Sequence, residues 1–136
     1  MKVTELGKSF GFETVVQGKD DSVIATGYTS DLLSDVMANA GDASVLITIQ
    51  AHRNTIAVAS LAGIAAVVIC NGRAIPDDMA EAASAESVWV FRTGLDQFRV
   101  SGLLYSAIMA GSSAGSAAGG EAGKFGSVPD GTAAGP

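Results

Sequence analysis

The residues best suited to chemistry follow an apolar, β-branched run, Val45–Ile49. Gln50, His52, Arg53 and Asn54 come directly after it and precede a short helical pattern. The N-terminus of a helix has free N–H groups and the positive end of the helix dipole, so it favours an anion, and a guanidinium adds a forked donor. The pattern therefore predicts an anion site at Arg53. The alternative is that Asn54 only caps the helix and Arg53 packs or pairs with an acid.

His52 and Cys70 carry the chemistry of a general base and a nucleophile. Each is the sole residue of its type in the chain. A lone histidine without an orienting partner and a cysteine that ends a buried strand more often serve packing than catalysis. No glycine-rich phosphate loop, paired carboxylates or metal-ligand spacing accompanies them. We therefore assign no catalytic residue and no metal, and keep a small hydrolase or transferase using His52 and Cys70 as an alternative.

One βαβ unit must position these residues. Val45–Ile49 is too short for a helix and carries no charge, as in a strand buried on both faces. Apolar residues at helical spacing follow from Ile56 to Leu61, and Gly63 can take the left-handed conformation that ends a helix. Ala65–Cys70 is the second strand. We expect the two strands to be parallel, with a right-handed crossover.

The charge-free stretch from Thr55 to Cys70 also admits a membrane-spanning interpretation, because its length is close to that needed to cross a bilayer. Its alanine-rich composition, the break at Gly63 and the change to β-branched residues favour a buried βαβ core instead. We therefore expect no membrane association.

The remaining elements are predicted from spacing and turn residues. Ser30 or Asp31 is the expected N-cap of the second helix, and Thr4 is able to cap the first. The last helix is expected to bury one face, made of Phe98, Leu103, Leu104, Tyr105 and Ile108. Helices are predicted at Lys2–Phe10, Leu32 to about Ala40, Asp77–Ser87 and Leu95–Met109, and further strands at Phe12–Gln17, Ser22–Thr26 and Val88–Phe91.

These elements predict an α/β fold, a single three-layer domain with a mainly parallel sheet and short crossover helices over residues 1–110. In such a sheet the turns after the strands meet at one edge. Gly27, Tyr28, Asn71 and Gly72 should therefore lie near the residues that follow Ile49. Residues 111–136 are mostly glycine and alanine. They cannot bury enough surface to offset the entropy of ordering, so we predict a disordered low-complexity tail.

Composition limits the partners and the location. The net charge is -6 over 136 residues, and the basic residues are scattered, which argues against nucleic acid. A single cysteine rules out an internal disulfide and leaves too few soft ligands for zinc. The first residues contain Lys2, Glu5 and Lys8 without an apolar segment. We therefore expect no signal peptide and a cytoplasmic protein.

The central stretch resembles a DRTGG domain, a family named for an Asp-Arg after one strand and a Thr-Gly-Gly at the end of the next. The two signatures stand here as His52-Arg53 and Cys70-Asn71-Gly72, so the arginine and the last glycine match. The order and spacing of segments from Lys2 to Ala110 extend the resemblance. Such domains occur in phosphotransacetylases, between CBS repeats of some pyrophosphatases and, in similar form, in HPr kinases, as regulatory or assembly modules.

The resemblance implies a non-catalytic regulatory or interaction module, a homodimer, and an association with hydrogenase or energy metabolism. Because relatives accompany nucleotide-binding CBS repeats, it also implies a nucleotide or other small anion as the ligand. The cofactor is unknown, and a protein partner or a purely structural dimerisation module are further possibilities. The predicted ligand-binding residues are Gly27, Tyr28, Gln50, His52, Arg53, Asn54, Asn71 and Gly72.

Overall fold

The computed structural model describes residues 1–113, so most of the predicted tail, residues 111–136, lies outside the described residues. Within residues 1–113 five strands form one sheet in the order β1-β5-β4-β3-β2. The last four strands are parallel, and β1 pairs antiparallel with β5. The elements are α1 (Glu5–Lys8), β1 (Glu13–Val16), β2 (Thr26–Thr29), α2 (Leu33–Asn39), β3 (Ser44–Thr48), α3 (Arg53–Ala62), β4 (Ala66–Ile69), α4 (Asp77–Glu86), β5 (Trp89–Arg92) and α5 (Gln97–Ser113).

The sheet is covered on both faces, which makes a three-layer domain. Successive side chains of the buried strands point to opposite faces, so Val45 and Ile47 join one hydrophobic cluster and Leu46 joins the other. The first cluster includes residues of α1 and α5, and the second includes residues of α2, α3 and α4. The predicted α/β fold with a mainly parallel sheet is confirmed.

The predicted strand Ser22–Thr26 is wrong, since the structure places β2 at Thr26–Thr29. The residues before β2 pair with the N-terminal segment instead. Val3 donates its amide to the carbonyl of Ser22 at 2.9 Å, and Ile24 donates to the carbonyl of Met1 at 2.7 Å. The backbone of this segment therefore pairs with the N-terminal residues and does not extend the sheet.

The first helix is shorter than predicted: α1 covers only Glu5–Lys8. Thr4 stands at its N-cap but makes no side-chain capping bond. Its amide and its hydroxyl both donate to the carboxylate of Asp21, each at 3.0 Å. Thr4 thus fastens the turn before β2 to the N-terminal segment.

The predicted caps of α2 are also wrong. Its N-cap is Leu32, without a side-chain capping bond, because the carboxylate of Asp31 turns toward β3 and accepts from the hydroxyl of Thr48 at 2.8 Å. The hydroxyl of Ser30 accepts from the amide of Leu32 at 3.2 Å.

The last helix buries only part of the predicted face, since Leu104 and Ile108 are buried but Phe98, Leu103 and Tyr105 are exposed. Val100, Leu104 and Ile108 form its buried stripe, whereas Phe98 is 87% exposed. The buried residues recur every four positions, which is the spacing of one helix face. The predicted set mixed this stripe with residues of the solvent side. α5 also extends to Ser113, beyond the predicted domain limit at Ala110.

The charge-free stretch from Thr55 to Cys70 does not form one helix, because α3 ends at Ala62 and β4 begins at Ala66. Gly63 ends α3 in the left-handed conformation, with φ of 73°, as predicted. Over residues 1–113, none of the helices has the length and apolar composition that crossing a bilayer demands.

Candidate functional site

The turns that follow β2, β3, β4 and β5 come together at one end of the sheet, which we call the carboxyl edge. Gln50 donates its side-chain amide to the carbonyl of Asp31 at 3.0 Å, which joins the first two turns. Asn71 donates its backbone amide to the carbonyl of Leu95 at 2.9 Å, which joins the last two. The parallel sheet thus gathers these turns, as the sequence predicted.

His52 begins α3 as its N-cap, in an extended conformation. Its Nδ1 accepts a hydrogen bond from the amide of Asn54 at 3.0 Å, as the side chain of an N-cap residue does. The capping role that the alternative interpretation gave to Asn54 therefore belongs to His52. Thr55 strengthens this turn, because its hydroxyl donates to the carbonyl of Gln50 at 2.8 Å.

The N-terminus of α3 differs in charge from those of the other described helices. Its first turn contains no acidic residue and begins with Arg53. Arg53 and Asn54 are exposed, and among residues 1–113 neither ion pair involves Arg53. The other helix starts each have an acid in the first turn or at the cap: Glu5 for α1, Asp35 for α2, Asp77 and Asp78 for α4, and Asp96 for α5.

Asn71 and Gly72 form a tight turn in which both residues are left-handed, with φ of 63° and 64°. Asparagine and glycine tolerate this conformation better than other residues do. The backbone amide of Asn71 is bonded to Leu95, and that of Gly72 donates to the carbonyl of Thr93 at 2.8 Å. These two amides face the neighbouring turn, so only the side chain of Asn71 and the bare Gly72 remain for a ligand.

Arg92 holds this turn from the end of β5. Its Nη2 donates to the carbonyl of Gly72 at 2.9 Å, and its Nε donates to the carbonyl of Arg73 at 2.8 Å. A third donor, Nη1, contacts the carboxylate of Glu13 at 3.1 Å. The sequence analysis missed this role, for which the one signal was a charged residue at the end of a buried strand.

Asp31 is a second residue whose role the sequence analysis missed. Its Oδ1 accepts from the hydroxyl of Thr48, from the amide of Ile49 at 2.9 Å, and from the side-chain amide of Gln97 at 3.0 Å. Thr48 is fully buried. One carboxylate oxygen therefore joins the ends of β2 and β3 to the first residue of α5.

Gly27 and Tyr28 do not lie in a turn at the carboxyl edge, because both are inside β2. The hydroxyl of Tyr28 donates to the carboxylate of Asp35 at 2.9 Å. This hydrogen bond raises the pKa of Tyr28 and lowers the pKa of Asp35. The predicted position of these two residues is thus corrected, and Tyr28 is occupied with α2.

Cys70 and His52 make no hydrogen bond to each other. The thiol of Cys70 is buried in the cluster that α5 covers, whereas His52 caps α3, which belongs to the opposite face. Burial raises the pKa of Cys70 to about 11. Since the thiolate is the nucleophile, the geometry gives no support to a hydrolase or transferase that uses this pair. Within residues 1–113 no three histidine, cysteine or acidic side chains gather as a metal site would require.

Comparison with known proteins identifies a solved structure with a similar fold. No protein-family model matches the chain, and no curated protein does. The structure is similar to the CBS and DRTGG domains of the regulatory region of Clostridium perfringens pyrophosphatase, complexed with its activator, diadenosine tetraphosphate. The TM-score is 0.59 at 10% sequence identity, over 73% of this chain and 44% of that one. The chain thus spans less than half of that structure, and the likeness shows a CBS/DRTGG-like fold.

Proposed function

We propose that the chain is a non-catalytic regulatory module that binds a nucleotide or another small anion at the carboxyl edge. One observation carries the proposal: α3 is the helix, among those of residues 1–113, whose N-terminus has no acid of its own and presents Arg53 instead. The positive end of the helix dipole and the exposed guanidinium then favour a negatively charged ligand.

In this proposal the predicted ligand-binding residues divide by role. Arg53 and Asn54 are the groups that would receive a phosphate or carboxylate, and the exposed Asn71 and Gly72 lie on the next turn of the same edge. His52 and Gln50 position them, because His52 caps α3 and Gln50 is bonded to the turn after β2. The net charge of -6 does not oppose this, since an arginine acts within a Debye length of about 8 Å at physiological salt.

The choice of a nucleotide is supported by the likeness to a regulatory region that was solved with diadenosine tetraphosphate. The family resemblance adds a homodimer, a protein partner and an association with hydrogenase or energy metabolism as further proposals, and a cytoplasmic location stays a prediction. Regulation fits a site of this kind, because binding at the joined turns would stabilise one arrangement of the carboxyl edge.

Calorimetry on the full chain tests the site with ATP, diadenosine tetraphosphate, acetyl phosphate and inorganic phosphate as ligands. Arg53→Ala should weaken binding by about tenfold or more, because a hydrogen bond to a charged group contributes about 1.5–3 kcal/mol. Arg99→Ala is the matched control, since Arg99 is already paired with Asp96 at 2.8 Å. Binding that survives Arg53→Ala unchanged, or falls equally in both variants, would refute the placement.

Asn54→Asp separates the ligand role from helix stability. The new carboxylate gives α3 the acid that the other helices already have, so it should stabilise the fold by about 0.3–1 kcal/mol. The same charge should repel an anion and weaken binding. The melting temperature should therefore rise while the binding affinity measured by calorimetry falls. Weaker binding in a less stable protein would point to damage to the fold instead.

A further inference from the structure

The two edges of the sheet differ in how they are protected. At one edge, β1 carries Glu13, which pairs with Arg92, and its pairing with β5 is irregular between Thr14 and Val16. Charges and bulges are the features by which proteins keep an edge strand from pairing with another chain. At the other edge, β2 has neither: its residues Thr26–Thr29 are uncharged and pair with β3 without an irregularity.

The outer side of β2 offers free backbone groups. Ser30 donates its amide inward to the carbonyl of Ile47 at 3.2 Å, next to the pairing of Thr29 with Ile47. Because alternate residues of a strand direct their N–H and C=O to opposite sides, Thr26 and Tyr28 also face β3, and Gly27 and Thr29 direct their backbone groups away from it. β2 is the last strand of the sheet within residues 1–113, so these groups have the geometry to receive a further strand.

Exposed apolar side chains stand on both sides of this edge. On the α5 side, the hydroxyls of Thr29 and Ser101 lie 2.7 Å apart. Phe98 is three residues before Ser101 and thus on the same side of the helix, and it is 87% exposed. On the opposite face Leu32, just after β2, is 64% exposed. Gly27 leaves the strand itself without a side chain at its centre.

We propose that β2 pairs antiparallel with β2 of a second copy of this chain, so that one sheet runs through both. A two-fold axis lets two identical strands satisfy each other's donors and acceptors. Because Thr26–Thr29 carries no charge, two copies can approach each other at this strand without local repulsion, although each chain has a net charge of -6. Phe98 and Leu32 then cover the junction on its two faces.

This inference rests on the homodimer included in the proposed function, and it names β2 as the surface through which the two copies associate. Sedimentation of the full chain at micromolar concentration tests it, with Gly27→Lys as the main variant. A β-carbon at Gly27 would lie 3.4 Å from Cγ1 of Val45, an ordinary contact, so lysine fits the fold while adding the charge that protects an edge. The dimer should dissociate at least about 30-fold more readily, as for an interface hot spot.

Thr14→Lys is the matched control, because it places the same charge on β1, the opposite edge strand. It should leave the dimer intact, and Phe98→Ser should weaken it without touching the strand. Circular dichroism and thermal melting establish that each variant is folded. Hydrogen exchange should show the amides of Gly27 and Thr29 protected in the wild type, and the amide of Thr29 exposed in Gly27→Lys.

The outcomes separate the claim that the chain forms a dimer from the claim that β2 is the dimer surface. A wild-type chain that stays monomeric overturns both self-association and this surface. A dimer that Gly27→Lys leaves unchanged, or that Thr14→Lys weakens equally, overturns the surface alone. A monomer whose Gly27 and Thr29 amides are protected would show that another segment of the same chain occupies the edge, which also overturns the proposal.

Discussion

Replacing Asp31 by alanine should destabilise the fold more than its half-exposed position suggests. Its Oδ1 accepts three hydrogen bonds, from Thr48, Ile49 and Gln97. Gln97 can turn to water, but the hydroxyl of Thr48 is fully buried and the amide of Ile49 is fixed by the backbone. A buried donor left without a partner costs about 1–3 kcal/mol. Because the amide of Ile49 is only partly buried, the two donors together should cost less than twice the upper value, and we expect a loss of about 2–4 kcal/mol in the free energy of unfolding.

Urea unfolding followed by the fluorescence of Trp89, the sole tryptophan, measures this loss. Trp89 is 6% exposed and donates its indole N–H to the carbonyl of Asp20 at 2.7 Å, so unfolding should change its emission. With a urea slope of about 2 kcal/mol per molar, the midpoint should fall by about 1–2 M.

Asp31→Asn is the matched variant, because it keeps an acceptor oxygen while it removes the charge. We expect a loss of about 1 kcal/mol for it, and Gln97→Ala should add little in the Asp31→Ala background, since the shared hydrogen bond is already gone. An Asp31→Ala protein within about 0.5 kcal/mol of the wild type, or losses in the two Asp31 variants that are equal, would refute the role given to Oδ1.

Three further perturbations test the local structure. His52→Ala should lower the free energy of unfolding by about 0.5–2 kcal/mol through loss of the α3 cap, measured by urea titration. Gly18→Ala should cost about 1–3 kcal/mol and shift the emission of Trp89, because a β-carbon at Gly18 would overlap Cδ1 of that ring. The amide of Thr4 lowers the pKa of Asp21 from its ordinary value of 3.8. The stability that this hydrogen bond provides is therefore present above pH 3.8 and lost as pH falls below it, so Asp21→Asn should flatten the acid side of a thermal-melting profile.

Controls at comparable positions make these results specific. His52→Asn retains a capping acceptor and should recover most of the loss. Gly41→Ala should be tolerated, since its β-carbon would meet the hydroxyl of Ser44 at 3.7 Å, an ordinary contact. An equal loss in either control, or an unchanged acid profile in Asp21→Asn, would contradict the corresponding argument.

Much of the fold was predictable from local patterns. Charge-free β-branched runs identified β3 and β4, and Gly63 marked the end of α3 through its left-handed conformation. The same patterns failed at β2, because a short apolar segment near Ile24 pairs equally well with the N-terminal segment. Whether a strand joins the sheet or holds a terminus depends on which partner lies beside it, and hydrophobic spacing carries no information about that partner.

The features of the candidate site also divide into those that the local sequence determines and those that depend on the tertiary structure. The sequence alone placed Arg53 at the N-terminus of a helix and Asn71-Gly72 in the loop after a buried strand, because both features depend on neighbouring residues. Only the tertiary structure decided that Gln97 reaches Asp31 across 66 residues and that Arg92 holds the carbonyl of Gly72. These contacts follow from the order of the strands and the path of α5 across the sheet, which bring distant residues together without leaving a periodic pattern in the chain.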